Sequence, residues 1–175
     1  MKIRFPLFAL LAALSMMFVT VACGDKAPAT TATETTTDTV ITVNLANYVF
    51  DMSVPKDLVA DNMISIVNNE QHGNLEINIG KSFGLLVSEG NALINNAIEQ
   101  LEQETIFKNT IMEKDTAMVM YQRHLPDQQK YHVHFVQNVI VNNQQYCVRT
   151  RQDGLFNEQD ADLMLKVARS LRTHQ

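Results

Sequence analysis

Residues 131–151 alternate apolar and polar side chains on either side of Asn142-Asn143, and few folds can accommodate that pattern. Successive side chains of a strand point to opposite faces, and paired Asn residues tolerate the positive φ that a tight hairpin turn needs. The stretch is therefore expected to form a long hairpin, turning at Asn142-Asn143 or over the longer 142–145. Either turn puts Val133, Phe135, Val139 and Val141 on one face with Tyr146 and Val148. The other face carries His132, His134, Val136, Asn138 and Ile140 with Cys147, Arg149 and Arg151. One face reads as core and the other as mixed.

Shorter alternating runs predict further strands at 40–43, 48–54, 63–67, 75–79, 83–87 and 117–123. Two stretches have helical periodicity instead. Ile94, Ala97, Ile98 and Leu101 make one apolar stripe, with Asn91 or Ser88 as the expected N-cap. Met164, Val167, Ala168 and Leu171 make a second, entered through Asn157 with Asp160 at the third helical position. Acidic residues at the start of that helix and Arg169 and Arg172 near its end suit the helix dipole. Strands, a helix, more strands and a terminal helix predict a single α+β domain over 40–175, with a mainly antiparallel sheet flanked by helices.

The N-terminus specifies an address. Lys2 and Arg4 precede an apolar run over 5–22, followed by Cys23, which is the layout of a secretory signal. Thr20-Val21-Ala22-Cys23 resembles the lipobox of bacterial lipoproteins, with Thr at the position where Leu is usual. Residues 1–22 are then a lipoprotein signal peptide and Cys23 carries the lipid. Plain cleavage after Ala22, or retention of the run as an anchor, are the alternatives this departure leaves open. Residues 23–39 continue as a Thr/Ala-rich stretch with too little apolar surface to offset its ordering entropy, so a disordered tether is expected. Such a tether reaches on the order of 20 to 25 Å. Loss of residues 1–22 moves the formal net charge from −5 to −7. An acidic mature chain is held to a membrane by acyl groups rather than by a basic patch, and gives no electrostatic reason to expect nucleic acid.

Tyr48-Val49-Phe50-Asp51-Met52-Ser53-Val54-Pro55, then the middle helix, the long hairpin and a terminal segment ending Ala168-Arg169-Ser170-Leu171, resemble the PsbP-type fold. DcrB-type envelope lipoproteins are similar in having that fold behind a lipidated Cys. The resemblance covers most of 46–172 and implies an antiparallel sheet sandwiched by helices, used mostly by accessory proteins that bind a partner complex. It brings no catalytic motif. A secretion-chaperone-like α+β fold is the structural rival.

His132 and His134 are the metal candidates, because residues two apart on a strand share a face and imidazole binds zinc or copper. Arg151 opposite His134 disfavours a divalent ion there, and only His124 or His72 could complete a site, by tertiary approach, so no metal and no cofactor is expected. Cys147 sits opposite Asn138 in the two-residue-turn register, about 13 Å along the strand from His134, too far for a Cys-His dyad. Gly80-Lys81-Ser82 lacks the first Gly of a phosphate-binding loop, because Leu75 stands there. Glu102 and Glu104 read as a solvated helix end. Asp38-Thr39-Val40 and Asp115-Thr116-Ala117 are similar to an O-glycosylation pattern of Bacteroidetes envelopes.

The sequence thus reads as a lipid-anchored, non-enzymatic accessory or binding protein of the bacterial envelope, held by Cys23 with its domain outside the cytoplasm and the outer membrane as the expected site. A protein partner is expected, with His132, His134, Arg149 and Arg151 as its candidate surface and a merely solvated strip as the alternative. The alternative is an envelope metal protein or enzyme using His132 and His134.

Overall fold

A computed structural model describes residues 38–45, 48–126 and 130–174. The expected signal segment, Cys23 and residues 24–37 of the expected tether lie outside the described residues. The chain runs β1 (Asp38–Leu45), β2 (Tyr48–Pro55), α1 (Lys56–Ala60), β3 (Ile64–Asn69), β4 (Asn74–Ile79), β5 (Phe83–Glu89), α2 (Ile94–Gln103), β6 (Lys108–Lys114), β7 (Met118–His124), β8 (Tyr131–Val141), β9 (Gln144–Thr150), α3 (Glu158–Arg169) and β10 (Arg172–Thr173). Among the described residues these strands form two sheets, one ordered β1-β2-β10 and one ordered β3-β4-β5-β9-β8-β7-β6. Every pairing is antiparallel, so the fold class is α+β.

The hairpin closes by the shorter of the two turns. Asn142 and Asn143 adopt φ of 52° and 63°, and Val136 pairs with Arg149, Asn138 with Cys147 and Val141 with Gln144. Paired positive φ values match the right-handed twist of the two strands. The expected core face holds: Val133, Phe135, Val141, Tyr146 and Val148 are buried, and Val139 is half-buried against them. Leu75, Ile77 and Ile79 of β4, Phe83, Leu85 and Val87 of β5, and Met118 and Met120 of β7 extend the same core. Phe50, Met52 and Val54 of the small sheet and Met164, Val167 and Ala168 of α3 complete it. Asn157 caps α3 in a capping box with Asp160, its Oδ1 accepting from the Asp160 N–H at 2.9 Å.

The opposite face of the large sheet is covered differently. Ile94 and Ile98 of α2 pack on Val119, with Ile111 and Val136 beside it. That helix has no local side-chain cap, contrary to the expectation of Asn91 or Ser88. Asn138 of β8 holds the approach to it instead, its Oδ1 accepting from the Ala92 N–H at 2.9 Å and its Nδ2 donating to the Ala92 carbonyl at 2.8 Å. The first strand begins at Asp38, so Thr39 lies within β1 opposite Val54 rather than in a tether.

Candidate functional site

Helix α2 covers only part of its face, over β6 and β7, and a groove of about 680 Å³ opens between the helix and the strands beside it. One wall is helical, with Asn96, Ala97 and Gln100; the other is the mixed face of the hairpin, with Val136, Cys147 and Arg149, and Tyr121 and Arg123 of β7. This arrangement follows from sequence: α2 spends its two buried Ile residues on Val119, leaving its Asn and Gln residues toward the gap.

The four strip residues have separate fates. Arg149 is exposed in the groove, and its side chain makes no ion pair or hydrogen bond among the described residues. Arg151, two residues along the same face, is engaged: its Nη1 donates to Asn78 Oδ1 at 2.9 Å and stands 3.4 Å from Glu76 Oε1, and its Nε lies 2.7 Å from Asp153. To reach β4 the side chain must cross β5, and Gly84 is where it does so. A Cβ at Gly84 would lie 3.4 Å from Arg151 Cβ and 3.1 Å from Asn78 Oδ1.

His134 corrects the expectation of an exposed strip. It is 1% exposed, stacks on Tyr121 at 5.7 Å between centroids, meets the Phe156 ring edge-on, and places Nδ1 3.1 Å from Thr150 Oγ1. Burial, and then the charge of Arg123 and the neighbouring His132, hold its pKa down at about 4. A neutral, enclosed imidazole cannot present charge to a partner. His132 remains half-buried beside it. His124, on β7, pairs opposite Tyr131 and so projects to the other face from His132 and His134. Among the described residues no three His, Cys, Asp or Glu side chains gather where they could hold a metal ion.

Cys147 lines the groove half-buried, with its thiol pushed up by burial against the opposing pull of Arg149 and Ser88. A neutral thiol is a poor nucleophile. Gly80 occupies a positive-φ turn and donates to the Met63 carbonyl, and strand β5 follows within three residues where a phosphate loop needs a helix.

Glu104 is not the solvated helix end that its sequence context suggests. Its Oε2 accepts from Arg123 Nη2 at 3.1 Å and from Asn109 Nδ2 at 2.8 Å, and Asn109 also donates to the Leu101 carbonyl at the end of α2. The Arg123 guanidinium lies 4.8 Å from the centroid of Phe107. Arg123 is thereby ion-paired and ties the end of α2 to β6 and β7, while Arg149 is the groove cation whose side chain remains unpaired among the described residues. No protein-family model matches the chain, and no similarity links it to a curated protein or to a solved structure.

Proposed function

We propose that the chain is a lipid-anchored, non-enzymatic binding protein of the bacterial envelope, held on the outer membrane by Cys23, with a groove that accepts an acidic segment of a protein partner. One observation carries the binding reading: the Arg149 guanidinium stands unpaired in a groove whose second cation is already matched by Glu104. An exposed guanidinium can bind a carboxylate bidentately, and the surrounding Asn96 and Gln100 can both donate and accept hydrogen bonds. The anchor reading rests on the signal layout before Cys23. The order of hairpin, helix, long hairpin and terminal helix supports a PsbP-type sandwich, with α2 on one face and α3 with the small sheet on the other.

The test is co-purification of the full-length protein from envelopes, with Arg149→Glu as the comparison. The expected result is a partner retained by the native protein and lost from the variant at unchanged thermal stability. A partner bound equally by both overturns the groove reading.

A further inference from the structure

The two edges of the large sheet are built differently. At one end β6 carries Lys108, Glu113 and Lys114 and a register shift between Ile111 and Glu113. Charges and bulges are the devices that keep an edge strand from pairing with another chain. At the other end β3 reads Ile-Ser-Ile-Val-Asn-Asn, with no charge, no proline and no register shift, and it is exposed from Ile64 through Asn68. Ile66 is 39% exposed on one face and Val67 50% exposed on the other, so each face of the strand carries exposed apolar area.

The direction of its free backbone groups follows from one hydrogen bond. The Gly80 N–H donates to the Met63 carbonyl at 3.1 Å. Opposed residues in an antiparallel ladder alternate between bonded and non-bonded pairs. With Ile64 opposite Ile79, Ser65 and Val67 therefore turn their backbone groups toward β4, while Ile64, Ile66 and Asn68 turn theirs to the open edge. No described strand pairs there.

We propose that β3 is a homodimerisation edge, on which the β3 of a second copy pairs antiparallel about a two-fold axis through Ile66. A two-fold perpendicular to the sheet opposes only residues of equal parity, which keeps the core-side rows of both copies on one side. Among such registers, the one centred on Ile66 brings the outward groups of Ile64, Ile66 and Asn68 into bonded pairs, about six backbone hydrogen bonds in all. Ile66 meets its own counterpart, Ile64 faces Asn68, and Ser65 faces Val67, so no like charges are opposed. The required occupant is an uncharged extended strand of matching alternation, and the chain itself supplies one. This inference is independent of the groove reading.

Sedimentation equilibrium of the full-length protein in density-matched non-ionic detergent tests it. The native chain is expected to be a dimer at micromolar concentration, and Ile66→Lys, which sets two like charges on the axis, to weaken association by at least about tenfold. Two double variants keep the test decisive should that change disturb folding. Ile64→Lys with Asn68→Lys opposes like charges across both outer pairs and should dissociate the dimer, whereas Ile64→Lys with Asn68→Glu opposes unlike charges and should retain it. A monomeric native chain, or a dimer that survives the paired Lys substitutions, overturns the proposal.

Discussion

His134 Nδ1 stands 3.1 Å from Thr150 Oγ1, with its imidazole stacked on Tyr121 and withdrawn from solvent on what is otherwise the open face of the hairpin. Thr150 Oγ1 also accepts from the Phe135 N–H, so the hydroxyl links both groups. The ring is held neutral by the cost of charging it there.

That cost makes stability depend on pH. The folded pKa of about 4 lies below the ordinary 6.5, so between these values the unfolded chain binds the extra proton. Stability is then complete above pH 6.5 and falls as the pH drops toward 4, by on the order of 3 kcal/mol. Denaturant melts of native protein and His134→Gln across this range should show the decline only in the former. Parallel declines would mean that His134 is not its source. Asp51 acts in a different window. The His174 ring at 2.8 Å holds its carboxyl below the usual range, so its contribution is present above about 3.8 and is lost only at lower pH.

Arg149 and Arg151 should separate cleanly, although they lie on one face of one strand. Arg149→Glu is expected to leave the melting temperature unchanged and abolish partner binding. Arg151→Glu sets a third carboxylate beside Glu76 and Asp153 and breaks the bond to Asn78, which should cost about 1 to 2 kcal/mol after allowance for its partial exposure. Equal melting temperatures for the two variants would contradict this division of roles.

What could be read from sequence was set by local periodicity. The hairpin, its Asn142-Asn143 turn and the Asn157–Asp160 cap all follow from residues near one another in the chain. Strand β6 escaped because the shift between Ile111 and Glu113 breaks its alternation, and as a sheet edge it carries charges that mask a strand pattern. The burial of His134 depends on Phe156 from the segment before α3 and Tyr121 from a neighbouring strand. The Asn138 clamp on Ala92 joins residues 46 apart. Such long-range partners leave no periodic trace. Gly84 was the one available clue to the Arg151 crossing, since a glycine inside a strand often marks a close approach.

The segment joining β9 to α3 should be intolerant of side-chain addition. A Cβ on Gly154 would overlap the Phe156 ring, and that residue is fully buried, with its carbonyl accepting from the Val133 N–H at 2.9 Å. Gly154→Ala must therefore displace Phe156 or the hairpin, at a cost of about 1 to 3 kcal/mol. Met164→Ala, which empties a core position on the adjoining helix, should cost about 2 to 5 kcal/mol. Truncation before residue 161 removes Met164, Val167 and Leu171 together and should abolish the cooperative melt. Its survival would show that α3 is dispensable to the core.

The anchor can be tested independently of the domain. Acyl chains contribute about 0.8 kcal/mol per buried methylene, and two or more exceed what an acidic chain could gain from the surface potential of a membrane. Cys23→Ala is expected to release a cleaved, folded protein into the soluble envelope fraction and to abolish palmitate labelling, with the His134 pH profile unchanged. A cleaved variant that remains in the membrane fraction would refute lipid anchoring. An uncleaved and membrane-bound native chain would point to the apolar run over 5–22 as the anchor, since a run of that length just reaches across a bilayer.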